Sequence, residues 1–152
     1  YFNNAAGNHE LSTSPIAGIW GPKVMLINEM AGSGGDAMPY MFKSRKVGLL
    51  VGKRTWGGLV GIWDAPPLAD GGSITAPRGG FISRSGQWAV ENEGVAPDID
   101  VEDMPKDLAA GHDAQLERGV QEALRMLQEH PVHVLAHEPP PPTWGKRAVP
   151  LP

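Results

Sequence analysis

Apolar residues fall in short dense runs separated by glycine-rich gaps. "GPKVMLINE" (21–29) opens with a Gly-Pro turn and continues as an apolar run. Its length and flanks predict a fully buried strand, as in a sheet covered on both faces. "GGDAMPYMFKSRK" (34–46) places Met38, Met41 and Phe42 at helical spacing, with basic residues in its last turn, where they suit the helix dipole. Pro39 is compatible with that helix only near its first turn. "VGLLVG" (47–52) reads as a second buried strand, and strand, tight loop, helix and strand make a βαβ unit. "HDAQLERGVQEALRMLQEH" (112–130) carries the clearest helical period. Leu116, Val120, Leu124 and Leu127 form one apolar stripe, and Asp113 is its expected N-cap.

The remaining segments carry weaker periods. Residues 53–72 are irregular and dense in Gly, Pro and Trp, and loops of that length are often functional. "SITAP" (73–77) and "GGFISRSGQWAVEN" (79–92) predict short strands, with a hairpin turn at Ser85–Gly86. Residues 94–105 are extended, because Pro97 opposes a helix, and residues 1–15 read as a polar loop. Seven prolines in 131–152, including Pro139–Pro142, predict an extended tail. The expected organisation is an α/β subdomain over 1–130 followed by a Pro-rich tail over 131–152.

Composition narrows the function classes. The chain has 152 residues, long enough for one domain with its own core. A net charge of −4 and a pI near 5.7 argue against nucleic acid or an anionic membrane as partner. No apolar run approaches the roughly 18 residues that a membrane span needs. The absence of cysteine removes disulfides, thiolate metal sites and a cysteine nucleophile together. The opening "YFNNAAGNHELSTSP" has neither an initiator Met nor a leader pattern, so we expect a piece of a longer or processed chain.

The strongest chemical signal is Ser33, set between glycines after the first buried strand. Glycines let backbone N–H groups approach a ligand, and the helix start adds unpaired donors and a positive dipole end. A nucleophilic serine needs that setting, with the Gly34 N–H aimed at an oxyanion. An N-cap serine on a βα loop fits the same local pattern equally well. A dinucleotide fingerprint is a loose match (Gly32, Gly34, Ala37), but the next strand ends Gly52-Lys53-Arg54 without the required acid. A Walker loop is excluded because no Gly-Lys-Ser/Thr follows. The hydrolase elbow G-x-S-x-G has Ala31 in its first position. Its acid and base would come from Asp64, Asp70 or Asp98 with His112, His133 or His137. His133 and His137 lie in the Pro-rich tail, however, and they are a weak metal signal. His9 and His130 complete the histidines. Trp56, Trp63 and Trp88 read as core or pocket wall rather than a base-stacking platform.

Taken in order, "INEMAGSGGDAMPYMF", "VGKRTWGGLVGI", "DGGSITAPRGGF" and "WAVENEGVAPDIDVE" resemble the C-terminal catalytic subdomain of tricorn-type serine peptidases. These belong to the carboxy-terminal-processing peptidase superfamily, whose fold is related to Clp protease and crotonase. The resemblance implies an α/β fold of Clp/crotonase ββα type and no cofactor. It implies Ser33 as nucleophile, Gly34 as one oxyanion donor and Glu91 in the relay, with Glu93 the competing glutamate. The His base and the second oxyanion donor would lie upstream of residue 1, since His9 is too near Ser33 in sequence. The Ser–Lys variant is disfavoured, because Gly58 of "TWGGL" stands where that lysine would sit and Lys53 lies on the other side of the motif. The implied partners are a peptide substrate and further copies of the chain, in a cytoplasmic or else periplasmic setting. Two other functions remain open at this point: a non-catalytic scaffold domain and a crotonase-like acyl-thioester enzyme.

Overall fold

The computed structural model describes residues 1–3, 10–63 and 65–140; His9, Asp64 and the chain from Pro141 onward lie outside the described residues. The chain divides into two compact units, Tyr1–Gly21 with Pro131–Pro152, and Pro22–His130. In the first unit, β1 (Phe2–Asn3) pairs antiparallel with β2 (Leu11–Ser12). The polar period of residues 1–15 predicted only a loop, because a two-residue ladder is too short to leave a pattern. Within the same unit Asn3 Nδ2 donates to Glu138 (2.8 Å) and the Leu135 N–H donates to the Tyr1 hydroxyl (3.2 Å).

The second unit is built on a parallel sheet of order β3-β4-β5. It comprises β3 (Val24–Ile27), β4 (Leu49–Gly52) and β5 (Ile99–Asp100). Helix α1 (Gly34–Ser44) connects β3 to β4, and α2 (Pro105–Ala109) and α3 (Ala114–Glu129) follow β5. The expected βαβ unit is thus present. Central β4 carries Leu50 and Val51, both fully buried. Burial of each contributes about 1.5–3 kcal/mol. Alternation sorts β3 by face. Ile27 and Met25 join the cluster that holds Leu50, Val90, Val95, Tyr40 and Phe42. Val24 and Leu26 instead face α3 at Gly119.

Helices α1 and α3 turn faces to the sheet that differ from the apolar stripes. On α3 the buried residues are Gln115, Gly119 and Glu122, whereas Leu116, Val120, Leu124 and Leu127 are 40–55% exposed. Gly119 allows the close approach, since a Cβ there would stand 2.8 Å from Leu26 Cδ2. Glu122 is held by Arg125 and Arg118, whose guanidinium groups keep its carboxyl below its usual range. Asp113 caps the helix as expected, accepting from the Leu116 N–H at 2.7 Å. On α1 the inward residues are Asp36, Pro39, Tyr40 and Phe42, while Met38 and Met41 are exposed. Pro39 sits inside the helix, beyond its first turn, and leaves the Gly35 carbonyl without the usual N–H. Tyr40 meets Phe81 edge-on, with ring centroids 5.1 Å apart.

Between β4 and β5 the predicted strands are not laddered. Among the described residues only the isolated bridges Gly61↔Gly79 and Ile82↔Trp88 are formed. The hairpin turn is present: the Gly86 N–H donates to the Ser83 carbonyl and the Ser83 N–H to that of Gln87. Glycine and proline at this density weaken long ladders.

Asp98 joins three elements. It accepts from Lys43 Nζ of α1 (2.8 Å) and from the Leu50 N–H of β4 (2.9 Å), just before β5. Partial burial opposes its ionisation, but the Lys43 and Leu50 hydrogen bonds and the Lys43 charge together outweigh it and hold the carboxyl below its ordinary value. The contribution is therefore complete above the ordinary carboxylate range and is lost as pH falls through the lower folded value. Asp98→Asn should cost about 1 kcal/mol at neutral pH after solvent screening. Urea titrations of both forms should converge as the pH drops below about 4.

Candidate active site

Ser33 stands where β3 turns into α1. Its backbone is at φ 53°, ψ −110°, and its side chain makes no capping hydrogen bond. A capping serine has extended backbone and bonds to the helix amides. Ser33 instead has the sharp strand-to-helix turn that exposes a hydroxyl at the end of a strand. Ser33 is exposed and lines a cleft of about 440 Å³ together with Leu59, Val60, Gly61, Ile62 and Trp63. The Gly34 N–H donates to no acceptor among the described residues, and nothing lies within 4 Å of where its Cβ would stand.

The segment after β4 closes one flank of this turn. The Trp56 N–H donates to the Ala31 carbonyl, and the Ser33 N–H donates to that of Gly58, both at 2.9 Å. The Trp56 ring lies over two glycines: a Cβ on Gly32 or Gly58 would come within 2.6 or 2.4 Å of it. A lysine at position 58 would therefore have to displace Trp56. Lys53 is committed elsewhere. It donates to Asp100 (2.7 Å) and lies 3.8 Å from Glu102, and the Asp100 hydrogen bond in particular raises its pKa. A general base needs the opposite shift.

Two carboxylates hold the same segment from below. Asp36 accepts from the Gly57 N–H (2.8 Å) and the Gly58 N–H (3.0 Å). Glu91 Oε2 accepts from the Leu59 N–H (2.6 Å) and the Val60 N–H (2.5 Å). Val90 and Asn92, on either side of Glu91, have φ of 75° and 61°. Asn92 donates its N–H to the Gly57 carbonyl, and the Val95 N–H donates to Thr55 Oγ1, both at 2.7 Å. Glu93 is exposed, and Arg54 bonds only its carbonyl, at 3.2 Å.

Within this unit the other described candidates are engaged elsewhere. Asp98 is tied to Lys43, and Asp70 accepts from the Gly72 N–H in an exposed turn. His112 faces Glu117 at the start of α3, and His133 belongs to the other unit. Trp63 is a cleft wall, whereas Trp88 is 75% exposed and Trp56 is 71% exposed, so neither is core. Asp36 is the residue that sequence reasoning missed. Its signal was an acid in the first turn of the helix after the glycines, a position that the dipole favours. No group of three metal-ligating side chains occurs among the described residues.

Comparison with known proteins places the chain in one family. The family described as Peptidase family S41 matches residues 2–101. Tricorn protease homolog 1 of Streptomyces coelicolor is 44% identical over 111 residues, covering 73% of this chain and 10% of the relative. The tricorn protease of Thermoplasma acidophilum is 38% identical over 118 residues, 78% of this chain and 11% of the relative. A crystal structure of the tricorn protease superimposes with a TM-score of 0.76 at 35% identity, over 84% of this chain and 12% of that one. The chain thus spans about a tenth of the length of these curated relatives.

The left-handed backbone of Ser33 has a cost that stability measurements can read. Ser33→Gly relieves it and Ser33→Ala keeps it. Urea denaturation should find the glycine variant more stable than the alanine variant by about 1 kcal/mol. Equal midpoints would mean that the turn is unstrained.

Proposed function

The chain belongs to peptidase family S41, and on that premise we propose that it supplies the nucleophile of a peptide-hydrolysing site whose base lies outside residues 1–152. The observation that carries this reading is the backbone of Ser33 (φ 53°, ψ −110°), which leaves its hydroxyl uncapped at the mouth of a cleft. The Ser33 hydroxyl attacks the scissile carbonyl carbon while a histidine outside this chain takes its proton. The oxygen of the tetrahedral intermediate is received by the Gly34 N–H and by a second donor also outside this chain. The amine leaves with the proton from the histidine, and water then hydrolyses the acyl-Ser33 ester. Glu91 borders this site through Leu59 and Val60, and its part is to orient the relay; Glu93, exposed, is less well placed.

The surface supports an incomplete site. Among the described residues no histidine lines the cleft. Large apolar side chains stand exposed around the second unit, among them Ile82, Trp88 and the α3 stripe. Such faces mark contact with further protein, either the remainder of a longer polypeptide or further copies in a homo-oligomer. No helix among the described residues is long and apolar enough to cross a membrane. The substrate is a peptide, and no cofactor is required. The family match does not favour the scaffold or acyl-thioester alternatives.

Two assays test the reading. The isolated 152-residue chain should show almost no peptide hydrolysis. The full-length polypeptide that carries it should hydrolyse peptides, and Ser33→Ala should lower kcat by about 10⁴-fold or more. Robust turnover by the isolated chain that depends on Ser33 would refute the placement of the base. Unchanged turnover in the full-length Ser33→Ala variant would refute the nucleophile.

A further inference from the structure

Asp36 is 0% exposed, yet among the described residues no cation pairs with it. Its two oxygens accept the N–H groups of Gly57 and Gly58, residues 21 and 22 positions away along the chain. A carboxylate removed from water is retained only where its lone pairs are met, and here backbone amides and the start of α1 meet them. Gly58, whose N–H Asp36 holds, presents its own carbonyl, on the next peptide along, to the Ser33 N–H at 2.9 Å. The N–H of that Gly58–Leu59 peptide is held by Glu91 at 2.6 Å. The Asp36 N–H in turn donates to the Ser33 carbonyl at 3.0 Å. Both peptide groups of Ser33 are therefore tied, directly or through one residue, to Asp36.

We infer that Asp36 is the positioning residue of the Ser33 turn. It does not touch the substrate. It holds the N–H groups of Gly57 and Gly58, and Gly58 so placed holds Ser33 through its carbonyl in the left-handed conformation that sets Ser33 on the cleft and leaves the Gly34 N–H without an acceptor among the described residues. The inference rests on the reading of Ser33 as nucleophile. Asn at position 36 keeps the shape but offers one acceptor oxygen, and its NH₂ group opposes the second amide. The Gly58 carbonyl is then released from its angle, and Ser33 relaxes away from attack geometry.

The test uses the full-length polypeptide, with active sites titrated by a fluorophosphonate so that kcat refers to folded, reactive enzyme. Asp36→Asn should lower kcat per titrated site by about 10–100-fold, the scale of a misplacement near 1 Å. KM should stay within about twofold, because ground-state binding is not touched. The rate of fluorophosphonate labelling should fall in step with kcat. Asp98→Asn, which loosens the same sheet away from the cleft, should lower the Tm and leave kcat per site unchanged. If Asp36→Asn only lowers the Tm, with kcat per site and labelling rate as in the parent, Asp36 is structural and the inference fails. Should Asp36→Asn not accumulate as folded protein, the smaller Asp36→Ser, which leaves room for a water on the second amide, carries the same comparison. Activity that survives Ser33→Ala would sink the nucleophile reading itself, whatever Asp36→Asn does.

Discussion

Four consecutive backbone amides, those of Gly57, Gly58, Leu59 and Val60, end on two carboxylates, Asp36 and Glu91. The rest of the site hangs on this clamp. The segment has no ladder of its own, so its amides need acceptors from elsewhere or they cost about 1–3 kcal/mol each when buried. Asp36 comes from the helix that follows Ser33, and Glu91 comes from the loop near the end of the 53–98 excursion. One pair of side chains thus ties the β3–α1 turn and the 90–95 loop to a common strip of backbone.

The clamp also explains how the strain survives. Ser33, Val90 and Asn92 are non-glycine residues with positive φ, and Val90 is β-branched and buried. Each such conformation costs on the order of 1–3 kcal/mol and persists only where its surroundings over-determine it. Each lies within one hydrogen bond of the clamped strip or belongs to the loop that supplies Glu91. Ser33 donates to Gly58, Asn92 donates to Gly57, and Val90 accepts from both Glu93 and Gly94. Hydrogen bonds to charged acceptors contribute about 1.5–3 kcal/mol each. Strain and restraint are therefore of the same size and in the same place.

What the sequence showed depended on how far apart the partners lie. The β3, α1 and β4 unit was legible because its signals are local: apolar runs, a Gly-rich turn and a helical period. Asp113 was legible for the same reason, with its partner Leu116 three residues on. The α3 stripe was legible as a stripe but not as to its surroundings. Periodicity locates an apolar face and cannot say whether sheet or solvent meets it. The sheet took the face with Gly119, because a missing side chain permits closer approach than Leu116 or Val120 would. Ser33 stood out from its glycines, whereas Glu91 came only through family resemblance. Asp36 went unnoticed because nothing near it in the chain announces Gly57 and Gly58.

The cleft constrains where a base could stand on the proposed mechanism. The flank of Ser33 formed by Leu59, Val60, Gly61, Ile62 and Trp63 has no titratable side chain. The glycine at position 58 is covered by Trp56, so a lysine there would have no path to the hydroxyl without moving the ring. Lys53, the lysine nearest in sequence on that side, has its pKa raised by Asp100 and Glu102. The 56–63 wall is thus shaped to hold the turn and line the substrate, not to exchange protons. On that mechanism proton transfer comes from outside this wall, and the Gly34 N–H meets no acceptor among the described residues. An approaching polypeptide there would bring the base to the Ser33 hydroxyl and the second oxyanion donor to the carbonyl oxygen of the substrate.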